Sequence, residues 1–279
     1  MKVYEMRLPD GWYPHKSVSC VADIKEMIKD FNPEGHFRNA GIVPHAGWYF
    51  SGKLAAKVIY TLSKNNPNPD VVCLLGGHLA HYHPVLYYSF ETAKTPLGDI
   101  EFNQELTKEL TASLEKSMEA PDDGDNTIEI NLPFIKYFFP NTKIIAFRVP
   151  PSDLAIDFGE KLFQIISEKN LNAVVIGSAD LTHYGPNYGF MPQGKGEDAL
   201  NWVKNENDRK IVDAALQIEP QKIIEQSLLN QSSCSGGAIA STLNFIKSMG
   251  LNQAKLIDYY TSYEIHPSSS FVGYMGIVF

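Results

Sequence analysis

Cysteine is scarce in this sequence: 279 residues include only Cys20, Cys73 and Cys234. Three thiols are too few, and odd in number, for a disulfide framework, so reduced cysteines are the simplest expectation. Cys73 lies inside an apolar run and, like Cys20, is expected to be structural. Cys234 differs because it lies in the small, polar stretch SSCSGG, and it is therefore the thiol with a candidate chemical role.

Positive charge is also in short supply. The chain has 24 Lys and Arg against 32 Asp and Glu, which gives a formal charge of −8 and a pI near 5.5. This balance provides no electrostatic reason to bind nucleic acid or an anionic membrane surface. We therefore expect a small-molecule, peptide or protein partner, with no nucleic acid and no membrane.

Long apolar runs are missing as well. No stretch approaches the ~20 residues that a membrane-spanning helix needs. The first residues, MKVYEMRLPDGWYP, lack the apolar segment of a secretory signal, so a cytoplasmic location is expected. The chain is nevertheless 44% hydrophobic, enough for a buried core. With no repeats, low-complexity tract or linker, it is predicted to form a single domain over residues 1–279.

Several common catalytic motifs are absent. The sequence contains no GxxxxGK[ST] phosphate loop, no GxGxxG after a strand, no HExxH and no GxSxG. A nucleotide cofactor is therefore not expected.

Three short apolar runs are each followed by a histidine. They read as buried strands and alternate with amphipathic helical patterns such as KLAAKVIYTL. This order predicts an α/β fold with a central, mostly parallel or mixed sheet flanked by helices. In such sheets ligands bind at the carboxyl ends of the strands. Residues 40–43 lead to His45, residues 71–75 lead to His78, and residues 173–176 lead to His183.

A metal site is the chemistry that this arrangement favours. The strand-helix-strand order predicts that His45 and His78 follow neighbouring strands at one edge of the sheet, where two imidazoles can share one ion at ~2.0–2.2 Å. Cys234 lies at a predicted helix start, where the helix dipole lowers a thiol pKa and favours the metal-binding thiolate. We predict His45, His78 and Cys234 as ligands. Two alternatives stay open: His78 could form a local cluster with His81 and His83, and Cys234 could simply belong to a capped turn.

Asp180 and His183 share one turn. A carboxylate beside an imidazole can orient the ring and hold its proton, so we interpret His183 as a general acid or base with Asp180 as its partner. Asp122, Asp123 and Asp125 resemble a second carboxylate cluster, but an acidic run of this kind is interpreted as a solvated loop.

Seven segments together resemble the Memo family: VPHAGWYFSG, LLGGH, TPLGDIEF, EINLPF, GSADLTHYG, CSGGAI and VGYMGIVF. They span most of the chain in the expected order. The family's fold is similar to that of class III extradiol ring-cleaving dioxygenases. Carried over by position, the resemblance implies that His45, His78 and Cys234 surround a metal-site cavity. It also implies that Asp180 and His183 line this cavity, with His183 matching the acid/base histidine of the dioxygenases.

The sequence departs from these patterns at two informative positions. Asn126 stands where the family often has a histidine, and an amide cannot act as a base. Cys234 stands where the dioxygenases have the carboxylate that completes their iron(II) site. A thiolate is softer and more easily oxidised, so ring cleavage is not assumed. Iron(II) or copper is the expected ion, with zinc as an alternative.

Three functions are consistent with these residues. The first is a metal-dependent oxidoreductase. The second is a non-catalytic adaptor that retains the cavity for a peptide or protein, as animal Memo proteins are regarded, with Trp48 and Tyr49 stacking on the ligand. The third makes Cys234 a nucleophile paired with His183 or His45. The association of bacterial relatives with a radical-SAM protein implies a pathway partner of that class.

Overall fold

The computed structural model describes residues 2–121 and 123–279. Its strands are β1 (Val3–Tyr4), β2 (Ala40–Val43), β3 (Val71–Gly76), β4 (Val85–Tyr87), β5 (Thr92–Ala93), β6 (Ile100–Glu101), β7 (Ser117–Glu119), β8 (Lys143–Arg148), β9 (Ala173–Ser178), β10 (His183–Tyr184), β11 (Lys255–Thr261) and β12 (Phe271–Val278).

The helices follow the predicted alternation with the strands. They are α1 (Ser17–Ile28), α2 (Lys53–Asn65), α3 (Gln104–Ser113), α4 (Asn126–Glu129), α5 (Leu132–Phe138), α6 (Asp153–Glu168), α7 (Glu197–Trp202), α8 (Asp208–Leu216), α9 (Pro220–Asn230), α10 (Gly236–Ser248) and α11 (Ser262–Ile265). A π-helical turn, Trp48–Gly52, leads into α2, and a second, Val203–Asn207, leads into α8.

The main sheet has the order β10-β12-β2-β9-β3-β8-β4-β7, and β11 pairs with β12. Its centre is parallel, because β2, β9, β3 and β8 pair in the same direction. Antiparallel pairing begins at β12 on one side and at β4 on the other. The predicted α/β fold with a mixed sheet flanked by helices is confirmed. β9 lies between β2 and β3, so the two strands that lead to His45 and His78 are not direct neighbours.

Two apolar layers cover the two faces of this sheet. Alternating residues of β3 show the division, because Cys73 and Leu75 belong to one buried cluster and Val72 and Leu74 to the other. Helices α6 and α10 cover the first face, and α1, α2 and α5 cover the second. Since both faces are buried, every residue of β2, β3 and β9 is apolar or small and buried, as expected for a sheet covered on both sides.

Helix α6 is stabilised by packing and not by a side-chain cap at its start. Ser152 occupies the N-cap position, yet its side chain makes no capping bond. Its Oγ is buried without a hydrogen-bond partner among the described residues. The helix is held instead by the apolar face that packs on α10, including Phe158 and Leu162. Within the described residues no helix combines the length and apolarity needed to cross a membrane.

Candidate metal centre

The parallel strands deliver two histidines to one edge of the sheet, and the start of α10 adds a thiol. His45 follows β2, His78 follows β3, and Cys234 lies two residues before α10. One ligand atom from each of the three residues lies within 4.8 Å of the other two. The structure therefore brings the three predicted ligands to a common point.

His45 is held in place on three sides and is only 1% exposed. Its backbone N–H donates to Asp180 Oδ1 at 2.8 Å. Its Nδ1 hydrogen-bonds with Ser178 Oγ at 3.2 Å, while Nε2 lies 3.2 Å from Cys234 Sγ. Ser178 in turn accepts from Asn131 Nδ2 at 3.1 Å. The His45 ring thus has a neutral hydroxyl as the partner of Nδ1, and its Nε2 faces the thiol.

The backbone at His78 has the left-handed conformation, with a φ of 58°. The two preceding glycines allow the turn to approach its neighbours closely. A Cβ at Gly76 would lie 2.1 Å from Thr127 Oγ1, and a Cβ at Gly77 would lie 2.4 Å from Ser235 Oγ. Such distances are sterically excluded, so Gly76 is required for the close approach to α4 and Gly77 for the close approach to the segment that carries Cys234.

Asp125 holds the ring of His78. Its Oδ2 accepts from His78 Nδ1 at 2.9 Å, and its side chain is only 4% exposed. Its Oδ1 caps α4 by accepting from the Thr127 N–H at 3.0 Å. The interpretation of this stretch as a solvated loop is therefore wrong for Asp125. Asp123, with a side chain 40% exposed, does lie at the surface, and Asp122 lies outside the described residues.

The sequence contained a signal for Asp125 that the acidic run obscured. Asp followed by Asn-Thr-Ile-Glu is a helix N-cap pattern, and the helix it starts is α4. Asp125 also pairs with Arg148, at the end of β8. Nothing in its local sequence indicates that Arg148 lies near a histidine, because the contact depends on how β8 pairs with β3.

The segment that carries Cys234 is tied to the turn after β9. The Cys234 N–H donates to the Asp180 carbonyl at 3.2 Å, and Ser233 Oγ donates to the same carbonyl at 2.9 Å. Asp180 therefore contacts two ligands, His45 through its carboxylate and Cys234 through its backbone. This explains how elements far apart in the sequence meet at one point.

Electrostatics favour a thiolate between two imidazolium rings. Burial opposes ionisation of Cys234, but His45 and His78 outweigh it and hold the pKa of the thiol well below its ordinary value. Burial likewise lowers the pKa of each imidazole, yet neighbouring negative groups prevail. Asp180 and Cys234 raise the pKa of His45, and Cys234 with Asp125 raises that of His78 to about 11. Burial raises the pKa of Asp180.

A cavity of about 550 Å³ opens beside the cluster. Asp180 and His183 line it together with His45 and His78. Its lining combines aromatic rings with polar side chains, and most of these residues carry no motif in the sequence. The aromatic residues are Trp12, Tyr49, Phe50 and Tyr274, and the polar residues include Asn126, Tyr188, Ser262, His266, Ser268 and Ser270.

His183 has partners other than the one expected. Its Nδ1 donates to the Leu181 carbonyl at 3.1 Å, and its ring meets the Tyr188 ring edge-on at 4.9 Å between centroids. The Asp180 carboxylate instead accepts from the backbone of His45. Asp180 therefore fixes a metal-ligand turn, while a main-chain carbonyl orients His183.

The remaining candidate residues are divided between the main cavity and other parts of the molecule. His81 and His83 line a separate cavity of about 480 Å³, so the cluster contains His78 without them. Trp48 is buried and stacks on Phe134 with 4.1 Å between ring centroids, which makes the expected stacking of Trp48 on a ligand wrong. Tyr49 does line the main cavity and is 69% exposed. Asn126 Nδ2 donates to the His45 carbonyl at 2.8 Å.

These residues fit a transition-metal site. Asp125 engages Nδ1 of His78 and Ser178 engages Nδ1 of His45, which leaves each Nε2 available for an ion, as is usual for histidine ligands. Tetrahedral zinc with bonds of ~2.1 Å to nitrogen and ~2.3 Å to sulfur has its ligand atoms about 3.6 Å apart. The 3.2 Å between His45 Nε2 and Cys234 Sγ is close to that spacing. Three protein ligands would leave a coordination position open toward the cavity.

Comparison with known proteins gives one consistent result. The family model described as Memo-like protein matches residues 5–278. A MEMO1 family protein of Pyrococcus furiosus is 30% identical over 92% of this chain and 94% of its own. One from Methanosarcina acetivorans is 32% identical over 85% and 84%. Among solved structures, an uncharacterized protein of Escherichia coli K12 matches with a TM-score of 0.55 at 11% identity, over 86% of this chain and 98% of its own. That likeness shows a shared fold.

Proposed function

The chain belongs to the Memo-like protein family, and from this premise we propose that it is a metal-dependent oxidoreductase whose ion is bound by His45, His78 and Cys234. The observation that supports the proposal is the convergence of two imidazoles and a thiolate beside an open cavity. A capped structural turn would not need two histidines within ligand distance of its cysteine.

The donor set favours a redox-active ion. A thiolate with two imidazoles suits iron(II) or copper, with zinc as the alternative. Bound here, iron or copper would supply one-electron chemistry. Ring cleavage is not part of the proposal, because Cys234 replaces the carboxylate ligand of the dioxygenases. The reduced thiol that the site needs agrees with a cytoplasmic location.

The protein's own groups have distinct tasks in this proposal. Asp180 fixes the turn that carries His45, through the backbone N–H. His183 donates its Nδ1 proton to Leu181, so its Nε2 is the atom that accepts or donates a proton at the cavity wall. Trp12 and Phe50 also line the cavity, where their rings would exclude water from a bound small molecule.

Metal content tests this proposal directly. Protein purified without oxygen should contain close to one equivalent of transition metal, measured by plasma mass spectrometry. His45→Ala, His78→Ala and Cys234→Ser should each lose most of it. His81→Ala is the matched control because His81 lines the other cavity, and it should retain wild-type content. Equal metal in all five proteins would refute the site.

An adaptor is the second candidate function, and the exposed rim of the cavity favours it. Tyr49 lies at this rim, largely exposed, and Tyr188 also lines the cavity. Aromatic side chains of this kind bind peptides well. A peptide or protein partner, or a radical-SAM pathway partner, would then use the cavity without catalysis. Capture of such a partner that persists in Cys234→Ser but is lost in Tyr49→Ala would favour this function over the first.

A further inference from the structure

We propose that Arg148 and Asp125 are positioning residues for His78, with one buried guanidinium controlling both the backbone and the ring of this ligand. The inference rests on the proposed metal site, because it concerns how one of its ligands is held. Arg148 is the last residue of β8 and is only 3% exposed.

The backbone contact comes first. Arg148 Nε donates to the Gly77 carbonyl at 2.9 Å, the peptide that immediately precedes His78. His78 has a left-handed backbone, which is costly for a residue with a side chain. A buried bond to the preceding carbonyl opposes rotation of that peptide and so stabilises this conformation. Arg148 can reach it because it pairs in register with Gly76 of β3.

The ring contact passes through Asp125. Arg148 Nη2 lies 3.2 Å from Asp125 Oδ2, the same oxygen that accepts from His78 Nδ1. The guanidinium therefore orients the carboxylate that orients the ring. Arg148 therefore contacts the backbone next to His78 directly, through Gly77, and contacts the imidazole of His78 indirectly, through Asp125.

Only an arginine fits this position. The contacts to Gly77 and Asp125 use Nε and Nη2, and Nη1 bonds to Asp123 at 2.6 Å. A planar guanidinium presents these donors in a fixed fork, whereas a lysine ammonium is a single point on a flexible stem. The pairing also compensates two buried charges, which would be costly separately. At His45, by contrast, the partner of Nδ1 is the neutral hydroxyl of Ser178.

Cobalt(II) binding tests the proposal, because its thiolate absorption bands report both affinity and ligand geometry. Asp125→Asn and Arg148→Lys should weaken cobalt(II) binding by ~10–100-fold, the usual effect of removing a partner of a histidine ligand. Asp213→Asn is the control, since Asp213 is also paired with an arginine, the exposed Arg209 of the same helix α8. Its affinity should match the wild type. Wild-type affinity and spectra in Asp125→Asn and Arg148→Lys would overturn the proposal.

A second measurement separates this proposal from the metal site itself. If wild-type protein binds no cobalt(II), the proposed function fails, but the positioning of His78 can still be observed in metal-free protein by NMR. The Nδ1 proton of His78, assigned by its loss in His78→Ala, should resonate far downfield because it bonds to a carboxylate. That signal should shift upfield or vanish in Asp125→Asn and persist in Asp213→Asn. An unchanged signal in Asp125→Asn contradicts the inference, and circular dichroism confirms that each variant is folded.

Discussion

The three cysteines have different surroundings, and this difference predicts their reactivity. Burial raises the pKa of Cys20 to about 12 and raises that of Cys73 as well, so both remain neutral thiols. Cys234 is held as a thiolate by two imidazoles, and the thiolate is the reactive form. In metal-free native protein, iodoacetamide should therefore alkylate Cys234 at least ~10-fold faster than Cys20 or Cys73, as followed by peptide mass spectrometry.

The two imidazoles and a bound metal ion should each change the rate at which iodoacetamide alkylates Cys234. Substituting His45 with Ala removes a positive neighbour and should slow alkylation of Cys234, and added zinc should protect the thiol in wild-type protein only. Uniform labelling of the three cysteines would contradict the assigned ionisation. The same experiment bears on a nucleophilic role for Cys234, which requires fast labelling in the absence of metal.

A buried carboxylate outside the metal centre, that of Asp208, should determine part of the dependence of stability on pH. Burial raises the pKa of Asp208 from 3.8 to about 7, against the opposing hydrogen bonds from Thr182 and Tyr259. Because the folded-state pKa is the higher one, the native state binds more protons between about pH 4 and 7. The stabilisation that comes from protonated Asp208 is complete below pH ~4 and is lost as pH rises toward 7. The free energy of unfolding should then fall by up to ~1.4 kcal/mol per pH unit.

Asp208→Asn isolates this contribution. Urea unfolding of the wild type and the variant across pH 4–8 should give a free-energy difference that shifts in favour of Asp208→Asn as pH rises and levels off above pH ~7. Thr182 lies beside Asp180 and His183 in sequence, so the comparison also reports how firmly this turn is held. A difference independent of pH would show that burial does not raise the pKa of Asp208 above its value in the unfolded chain.

The sequence predicts which residues belong to the site when they stand in a local motif. It does not predict those that reach the site only through contacts between distant segments. His45 and His78 follow apolar runs, and Cys234 precedes a glycine-rich helix start, so each carries its own sequence signal. Arg148 carries none, since its contacts depend on strand pairing. His266 is exposed in a loop and lines the cavity only because β11 and β12 bring that loop to the rim.

At the scale of elements, the close approach between the turn after β3 and the start of α10 requires a glycine at position 77. Gly77→Ala would place a Cβ 2.4 Å from Ser235 Oγ and 2.7 Å from Ser235 Cα, and a backbone atom cannot move aside cheaply. The turn and the start of α10 should therefore separate. We expect a loss of ~1–3 kcal/mol in the free energy of unfolding together with weaker metal binding.

Gly47→Ala provides the matched control for that substitution. Gly47 lies in the turn after β2 with a φ of −53°, and the nearest atom to an added Cβ is 3.7 Å away. Its alanine variant should keep wild-type stability to within about 0.5 kcal/mol. Comparable losses in both variants would indicate a general intolerance of these turns rather than the close approach at Gly77.

The existence of the elements could be read from the sequence, whereas their order in space could not. The apolar runs of β2, β3 and β9 and the amphipathic pattern of α2 predict strands and a helix at their observed places. Chain order suggested that β2 and β3 are neighbours, but β9 inserts between them. Insertion of a later strand leaves no trace in local periodicity, because strand order depends on tertiary contacts and not on the pattern within one strand.

At the scale of the whole molecule, the site exists only when the fold is complete. Its ligands are separated by 33 residues between His45 and His78 and by 156 between His78 and Cys234, and their supports come from β8, β9 and α4. An unfolded chain cannot present these groups together. Ion binding must therefore favour the native state and couple to global stability.

This coupling predicts how stability responds to metal and pH. At a free ion concentration of about 100 times the dissociation constant, the free energy of unfolding of the wild type should rise by ~2.7 kcal/mol. Calorimetry should show this as a rise of several degrees in Tm.

The stabilisation by metal should also depend on pH, because the ion must displace protons from His45 and His78, whose pKa values are raised despite burial. At fixed metal concentration the gain should therefore be smaller at pH 6 than at pH 8. His81→Ala should respond like the wild type and Cys234→Ser should not; an equal gain in Cys234→Ser would place the ion elsewhere.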